Sequence, residues 1–489
     1  MDKSFWLIDP PLEEQEIKKI IESIENQLAV KNIDSIDKIL EELELYDIKQ
    51  APKLEKKPRR PLDIAEEILK KHPIITTSSG ITYRYNSMYW EALEAIALEK
   101  LAGEYDSWKD TSKKRCQDTT YYLQRKSLLE NIQWRNLKPY QIPFKNGILN
   151  TKSWKRRRHR MEDFLETVIP HDYLKDKECP TWLQCLDDWF GKDPDGREKI
   201  KALQMFFGYV LLPHAIYKKA LLCFGPSNTG KSLVNQILTE LVGQRNTCVI
   251  PLEKMGDPRT IASIKGKMLN IVGELKYNAM VADGGFKQLV STEEPVRLDQ
   301  KFKEAELYVP FCKHAIFTNI LPTVNDYTEA LFNRLLIIEF RHPIPERKQD
   351  KCLINKLRRE MVGIALWAAR GARVLYKTKG QFIIPDSTKK IIQEYKHEQN
   401  PVNLFLEEKC EVNKDSRIPM EDFRKAFAAW HIGRPFTPAN LTKMLKSAGH
   451  TIKPISTPDG TKRALIDFKL KREDAHYTCD GTDKVERPI

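Results

Sequence analysis

"ALLCFGPSNTGKSLVNQILTELVG" occupies residues 220–243. It opens on an apolar, β-like run, "ALLCF". Gly225, Gly230, Lys231 and Ser232 then fit the pattern G-x-x-x-x-G-K-[ST]. The stretch closes on an apolar helical pattern. Strand, Gly-rich loop, Lys-Ser and helix in this order make a phosphate cradle. The two glycines let the backbone wrap close to an anion, and successive N–H groups and the helix N-terminus face it. Lys231 would set a point charge on the β and γ phosphates of ATP. Ser232 would offer its hydroxyl to Mg²⁺. The expected nucleotide-binding set is Gly225, Pro226, Ser227, Asn228, Thr229, Gly230, Lys231 and Ser232.

Three more β-like runs follow: "KMLNIVGEL", "KHAIFTNI" and "RLLIIEF". Each is apolar, with polar residues at or beside its ends. The pattern implies a parallel sheet buried on both faces, with working groups at the strand ends. Hydrolysis needs a carboxylate to orient water and a polar sensor for the γ-phosphate. Glu274 and Asn319 stand at the ends of two runs, and Arg334 stands just before the third. Taken singly, they could be a surface acid, a turn residue and a strand-end ion pair.

The bulk numbers bound the function. The chain has 489 residues, with 81 Lys and Arg against 68 Asp and Glu, a net charge of +13. That excess favours a polyanionic partner, most simply nucleic acid. The nine cysteines include no C-x-x-C pair, which argues against a zinc ribbon and a disulfide scaffold and suits a reducing cytosol. No apolar run approaches the roughly 18–20 residues of a membrane span. The opening "MDKSFWLIDPPLEEQE" lacks the apolar core of a signal peptide. The expectation is a cytoplasmic protein with no membrane partner.

Six segments are expected along the chain. Residues 1–47 read as a charged helical segment and 48–63 as a basic, Pro-rich linker. Residues 64–195 form a helical and mixed domain. Within it, "DIAEEILKKH" and "SMYWEALEAIALEKLAGEY" read as helices, "GITYRYN" as extended, and "IPFKNGILN" as two strands about an Asn146-Gly147 turn. "KSWKRRRHR" (152–160) is the densest basic run. It could grip phosphates or be a solvated loop. Residues 196–380 form the ATPase core. In 381–472, "VNLFLEEKC", "MEDFRKAFAAWH" and "PANLTKMLKSAG" read as three helices before a hairpin about Asp459-Gly460, a winged-helix pattern. Residues 473–489 are a polar tail.

The order of these motifs resembles the superfamily 3 helicases, AAA+-like ring ATPases of viruses, phages and plasmids. The likeness is specific over residues 200–345 and looser on either side. "GPSNTGKS" resembles their Walker A motif and "MLNIVGEL" their Walker B motif. "AIFTNILP" resembles the sensor motif, and "FNRLLIIEF" the segment carrying an arginine finger. The resemblance implies that Lys231, Glu274, Asn319 and Arg334 form the catalytic set, with Arg334 acting on a neighbour's ATP. It also implies a hairpin within "FKQLVSTEEPVRLDQKFKEAE" (286–306) that enters a ring's pore, with Lys301, Lys287 and Lys303 as DNA-binding candidates. Lys301 could instead pair with Glu304 or Glu306.

"YRYNSMYWEAL" and "IPFKNGILN" resemble the poxvirus-primase-type region that precedes phage and plasmid primase-helicases. "REMVGIALWAARGARVL" resembles their helix after the core, through Glu360, Gly363, Trp367 and Gly371. The fold implied is α/β: an AAA+-like P-loop core, a mainly helical N-terminal domain and a C-terminal winged helix. The function implied is an ATP- and Mg²⁺-dependent DNA helicase. It would act as a hexameric ring moving 3′ to 5′ on single-stranded or forked DNA, and a primase or polymerase could be a partner. Two rivals are an ATP-switched origin-binding initiator or loader and a DNA-packaging ATPase. The chain departs from the pattern where Gly273 stands before Glu274, since many members carry two adjacent acids there. Arg297 and Asp299 replace smaller or basic residues in the hairpin. The first 190 residues hold no D-x-D or D-x-E followed by a His-bearing strand, the primase catalytic pattern; Asp176-Lys177-Glu178 has no such strand after it within that stretch.

Overall fold

The computed structural model describes residues 59–471, except 107–111, 274–280, 292–293, 300, 302–304, 323, 325–328, 432–435 and 458–459. The chain divides into two compact units, Met1–Arg60 and Pro61–Ile489. The expected N-terminal helices, most of the linker and the polar tail lie outside the described residues.

The second unit begins with α1 (Pro61–Lys71), β1 (Ile74–Thr76), β2 (Thr82–Tyr85), β3 (Trp90–Leu93), α2 (Ala95–Tyr105) and α3 (Lys113–Lys126). The three strands form an antiparallel sheet. The helices close over Ile64, Ile68, Leu98, Leu101 and Leu123. One expected helix is split, because Trp90–Leu93 is a strand rather than helical. The Trp90 ring is buried, and its Nε1 donates to the Met161 carbonyl at 2.9 Å. Pairing with β2 and burial of an indole override a helical local pattern.

Next come β4 (Gln141–Phe144), β5 (Gly147–Asn150) and β6 (Lys155–Arg157). The expected hairpin is present, one residue out of place. Phe144 pairs with Gly147, so Lys145 and Asn146 make the turn. Gly147 has φ of +136°, and a Cβ there would sit 2.4 Å from the Arg157 carbonyl oxygen. That glycine therefore serves the approach of β6 rather than the turn. The basic run supplies β6. Arg157 turns inward to Asp163 at 2.6 Å, while Lys152, Lys155, Arg156, Arg158 and Arg160 stay exposed.

The helices α4 (Pro180–Phe190) and α5 (Gly196–Val210) lead into β7 (Ala220–Phe224) and α6 (Lys231–Val242). Then follow β8 (Thr247–Cys248), β9 (Leu269–Val272), α7 (Asp283–Ser291), β10 (Val296–Leu298), β11 (Glu306–Tyr308), β12 (Lys313–Thr318), α8 (Glu329–Phe332) and β13 (Leu335–Glu339). The order across the central sheet is β13-β7-β12-β9-β8, and every pair in it is parallel. The apolar runs read from sequence are these strands. They are buried on both faces, one side against α5, α6 and later helices, the other against residues 250–298. The chain leaves β7 and returns three strands away, with β13 filling the other side. This reversal opens a crevice at the carboxyl ends of β7 and β12.

After the sheet come α9 (Leu353–Arg359), α10 (Met361–Lys377) and α11 (Asp386–Gln399). α10 crosses α5 at close range. A Cβ on Gly208 would lie 2.1 Å from the Ala372 nitrogen, and one on Gly371 would lie 1.9 Å from the Gln204 carbonyl oxygen. The chain closes with α12 (Pro401–Lys409), β14 (Cys410–Pro419), α13 (Met420–Trp430), α14 (Pro438–Ser447), β15 (Ile452–Thr457) and β16 (Gly460–Leu470). The three expected helices and the hairpin are there. The sequence reading missed β14, which extends the hairpin to a three-stranded sheet ordered β14-β16-β15. Its residues are polar and mostly exposed, with Cys410 and Ile418 buried, so it carries little strand signal.

Candidate functional site

The loop after β7 is shaped by its neighbours. Gly225 has φ of +139°, and a Cβ there would meet the Phe340 carbonyl oxygen at 2.1 Å. Gly230 has φ of +102°, and its Cβ would strike the Trp189 ring at 2.4 Å. Between them Asn228, at φ of +60°, accepts from the Ile344 amide at 2.8 Å. Asparagine bears that left-handed geometry better than most residues. The buried Thr229 hydroxyl donates to the Pro226 carbonyl at 2.9 Å.

α6 starts at Lys231, so its N-terminus, the positive end of the helix dipole, opens onto the cleft. Lys231 is nearly buried. Its ammonium donates to the Gly225 and Pro226 carbonyls, each at 2.7 Å. Ser232, next to it, is exposed. Loop, α4, the end of β12 and residues 342–354 enclose a cleft of about 1070 Å³. Residues 227–232 line it, and so do Gly273, Thr318 and Asn319. Lys192, Lys348 and Lys351 add positive charge, and Asp187, Asp188 and Asp350 add negative.

The expected site residues divide. Lys231, Ser232 and Asn319 meet at the cleft, Asn319 being exposed one residue past β12. Glu274 and Lys303 lie outside the described residues. Arg334 does not join the cleft. It precedes β13, whose Leu335 pairs with Ala220, so it stands at the amino end of the sheet. At about 3.3 Å of rise per residue, the length of β7 puts it roughly 16 Å or more from the loop. Its Nη1 donates to the Ala330 carbonyl at 2.5 Å, and its buried Nε meets no hydrogen-bond partner among the described residues. Lys287 is half-buried on α7. Lys301 is exposed between β10 and β11, which pair antiparallel as a hairpin. Glu306 is engaged elsewhere, both its oxygens taking Lys265 at 2.6 and 2.7 Å.

Several supporting contacts escaped the sequence reading, including the one made by Glu360, which it noted only in the helix after the core. Trp189 presses on the loop from α4. Glu360 caps that helix, accepting from the Thr181 and Trp182 amides at 3.0 and 3.1 Å. Behind the loop, the fully buried Lys199 donates to Asp193 at 2.6 Å and to the Glu339 carbonyl at 3.0 Å. Asp193 also takes His342 at 2.8 Å. These links join residues up to 179 positions apart, and no spacing in the sequence announces them. Of the described cysteines, Cys352 alone is exposed; Cys116 is half-buried and the other six are buried.

The donor set suits Mg²⁺ held chiefly by a bound nucleotide. The described residues contain no cluster of three or more His, Cys, Asp or Glu able to hold a metal by themselves. Mg²⁺ favours few protein ligands alongside phosphate oxygens and water, and the exposed Ser232 hydroxyl beside the helix N-terminus can be one.

Comparison with known proteins adds two regions. Residues 64–191 match the family described as D5 N terminal like, and residues 223–334 match a family of unknown function, DUF5906. "Uncharacterized mitochondrial protein ymf21" of Marchantia polymorpha is 28% identical over 136 residues, 25% of this chain and 74% of that protein. "Putative helicase 121R" of Invertebrate iridescent virus 3 is 23% identical over 340 residues, 60% of this chain. The chain spans 35% of that viral protein's length and 34% of the length of "Putative helicase 184R" of Invertebrate iridescent virus 6. A solved structure of the NrS-1 C-terminal region aligns with a TM-score of 0.48 at 13% identity, covering 84% of this chain and 99% of that one. The two matched regions in series are the architecture of phage-type primase-helicases, and the chain resembles that class across both. Among the described residues, no helix is long and apolar enough to cross a membrane.

Proposed function

We propose that this chain is an ATP-dependent DNA helicase of a replicating mobile element. The observation that carries the reading is the cleft itself. A glycine loop whose two glycines admit no side chain, a lysine, an exposed serine and a strand-end asparagine converge at the carboxyl ends of adjacent parallel strands. That is the arrangement a P-loop ATPase core needs. ATP would bind with its phosphates on residues 225–232 and displace the Lys231 ammonium from its own loop carbonyls. Ser232 would help to hold Mg²⁺ beside the phosphates, and the ion would supply charge neutralisation there. Glu274 would orient the attacking water and Asn319 would report the γ-phosphate.

Arg334 is too far from its own cleft to serve it. Its place at the opposite end of the sheet supports action on a neighbouring subunit's ATP in a ring, a hexamer by family likeness. Lys301, exposed on its hairpin, would contact one phosphate of single-stranded DNA and move with the nucleotide state, 3′ to 5′. Phosphate contacts of this kind give weak sequence preference and strong salt dependence. The segment boundaries at residues 63, 195, 380 and 472 are proposed as domain limits.

ATP-driven displacement of a forked oligonucleotide, together with particle imaging for six-fold rings, tests the reading. Displacement that vanishes in Lys231→Ala supports it; nucleotide binding without displacement overturns it. One observation favours the second reading, an origin-binding initiator or loader. A groove of about 600 Å³ on the C-terminal unit brings Arg424, Lys462 and Arg463 beside the start of α14. Sequence-specific duplex binding, without strand displacement, would select that reading.

A further inference from the structure

The root of the Lys301 hairpin is tied to the N-terminal region through the side chain of Arg135. Arg135 lies in the loop between α3 and β4, far from the cleft in sequence. Its guanidinium pairs with Glu166 at 2.5 Å, both groups mostly buried. It stacks over the Phe311 ring at 4.3 Å from the centroid, reaches to 6.0 Å of the Tyr308 ring, and donates from Nη2 to the Val309 carbonyl at 3.2 Å. Tyr308 ends β11, and Val309 and Phe311 lead on to β12, whose far end carries Asn319. A single residue of the N-terminal region thus grips the segment joining the hairpin to the sensor strand.

The backbone is set to aim this side chain. Arg135 has φ of +55°, a left-handed conformation uncommon for a bulky residue. Its amide donates to the Phe164 carbonyl, and the next amide donates to the Asp163 carbonyl, both at 2.9 Å. Trp134 is packed against Tyr83 and Phe164. Strain of this sort persists only where surrounding contacts hold it. On the other side of the root, the core supplies separate holds: Lys265 to Glu306, and the Gly266 amide donating to the Tyr308 hydroxyl at 2.9 Å. The root is therefore anchored both in the ATPase core and in the N-terminal region.

We infer that Arg135 is a positioning residue that makes the N-terminal region and the DNA hairpin move as one. The inference rests on the helicase reading above, specifically on Lys301 as the DNA contact. Arg135 bears on the transmission of hydrolysis to DNA, not on hydrolysis.

The test uses the full chain, forked DNA and three single variants: Arg135→Ala, Glu166→Gln and Lys301→Ala. Each is assayed for ATP hydrolysis without DNA and for strands displaced per ATP consumed, with a thermal melt to establish folding. Arg135→Ala should keep DNA-free hydrolysis within about two-fold of the parent and lose about ten-fold or more in displacement per ATP. Glu166→Gln, which leaves the stacked guanidinium in place, should shift the same ratio in the same direction and serves if Arg135→Ala does not fold. Normal displacement per ATP in both, while Lys301→Ala abolishes it, overturns the inference alone. An equal loss of DNA-free hydrolysis and displacement also overturns it, since that marks a general structural role. Normal displacement in Lys301→Ala removes the hairpin reading and this inference with it.

Discussion

At the residue scale, Gly230 shows why a loop motif demands its residue types. The steric barrier there is an indole from another helix, not only the backbone angle. Gly230→Ala should weaken nucleotide binding about ten-fold or more, because either the loop or Trp189 must move. Titration with a fluorescent ATP analogue reads the loss, and an unchanged dissociation constant would show that the loop relaxes freely. His314 gives a second prediction. Burial inside the sheet pushes its pKa down to about 4 from the ordinary 6.5. It stays neutral when folded and gains a proton when unfolded, so its stabilising share is present above pH 6.5 and fades as pH falls toward 4. The loss should reach about 2 kcal/mol near pH 5. Lys313, beside it, is pushed down to about 7 from 10.5 by burial. Its slope has the same sign, with stability rising between pH 7 and 10.5. Urea titrations across pH, with and without His314→Asn, measure the first effect; parallel pH profiles would refute it.

At the element scale, the legible parts were those whose signal is local. The strand-loop-helix of residues 220–242 was plain because hydrophobic run, glycine positions and helical pattern agree. The apolar strands β9, β12 and β13 were plain because burial on both faces favours continuous apolar runs, even with Asn270, Lys313, His314 and Thr318 buried among them. The split of the expected 87–105 helix was not legible, since Trp90 is committed by contacts near Met161 and Leu165. β14 was hidden by its polar, exposed residues, and the turn at Lys145-Asn146 by a glycine needed one residue later. In the site, Lys231, Ser232 and Asn319 could be read in order, whereas Trp189, Lys199, Glu360 and Arg135 act through contacts between distant parts of the chain. The α5–α10 crossing carries its own prediction. Gly371→Ala would drive a methyl group into a backbone carbonyl that cannot rotate away. The cost should be about 1–3 kcal/mol, seen as a lower urea midpoint. A midpoint equal to the parent's would mean the two helices can separate without penalty.

At the scale of the whole molecule, the two ends of the central sheet divide the labour. The proposed nucleotide cleft lies at the carboxyl ends of the strands and Arg334 at the amino ends, so one chain holds two incomplete halves of the proposed catalytic set. This yields a complementation test. Lys231→Ala and Arg334→Ala should each be inactive alone. Mixed in equal amounts, they should regain up to about a quarter of the parent's ATP hydrolysis, the fraction of random interfaces pairing an intact cleft with an intact arginine. No recovery on mixing would place the role of Arg334 within its own chain. The distribution of cysteines has a practical consequence as well. Cys352 is exposed amid Asp350, Lys351 and Leu353, which line the cleft, while six other described thiols are shut inside the protein. With Cys116 and Cys479 replaced by serine, an environment-sensitive dye on Cys352 would report nucleotide arrival and departure in real time, a native optical sensor at the mouth of the cleft.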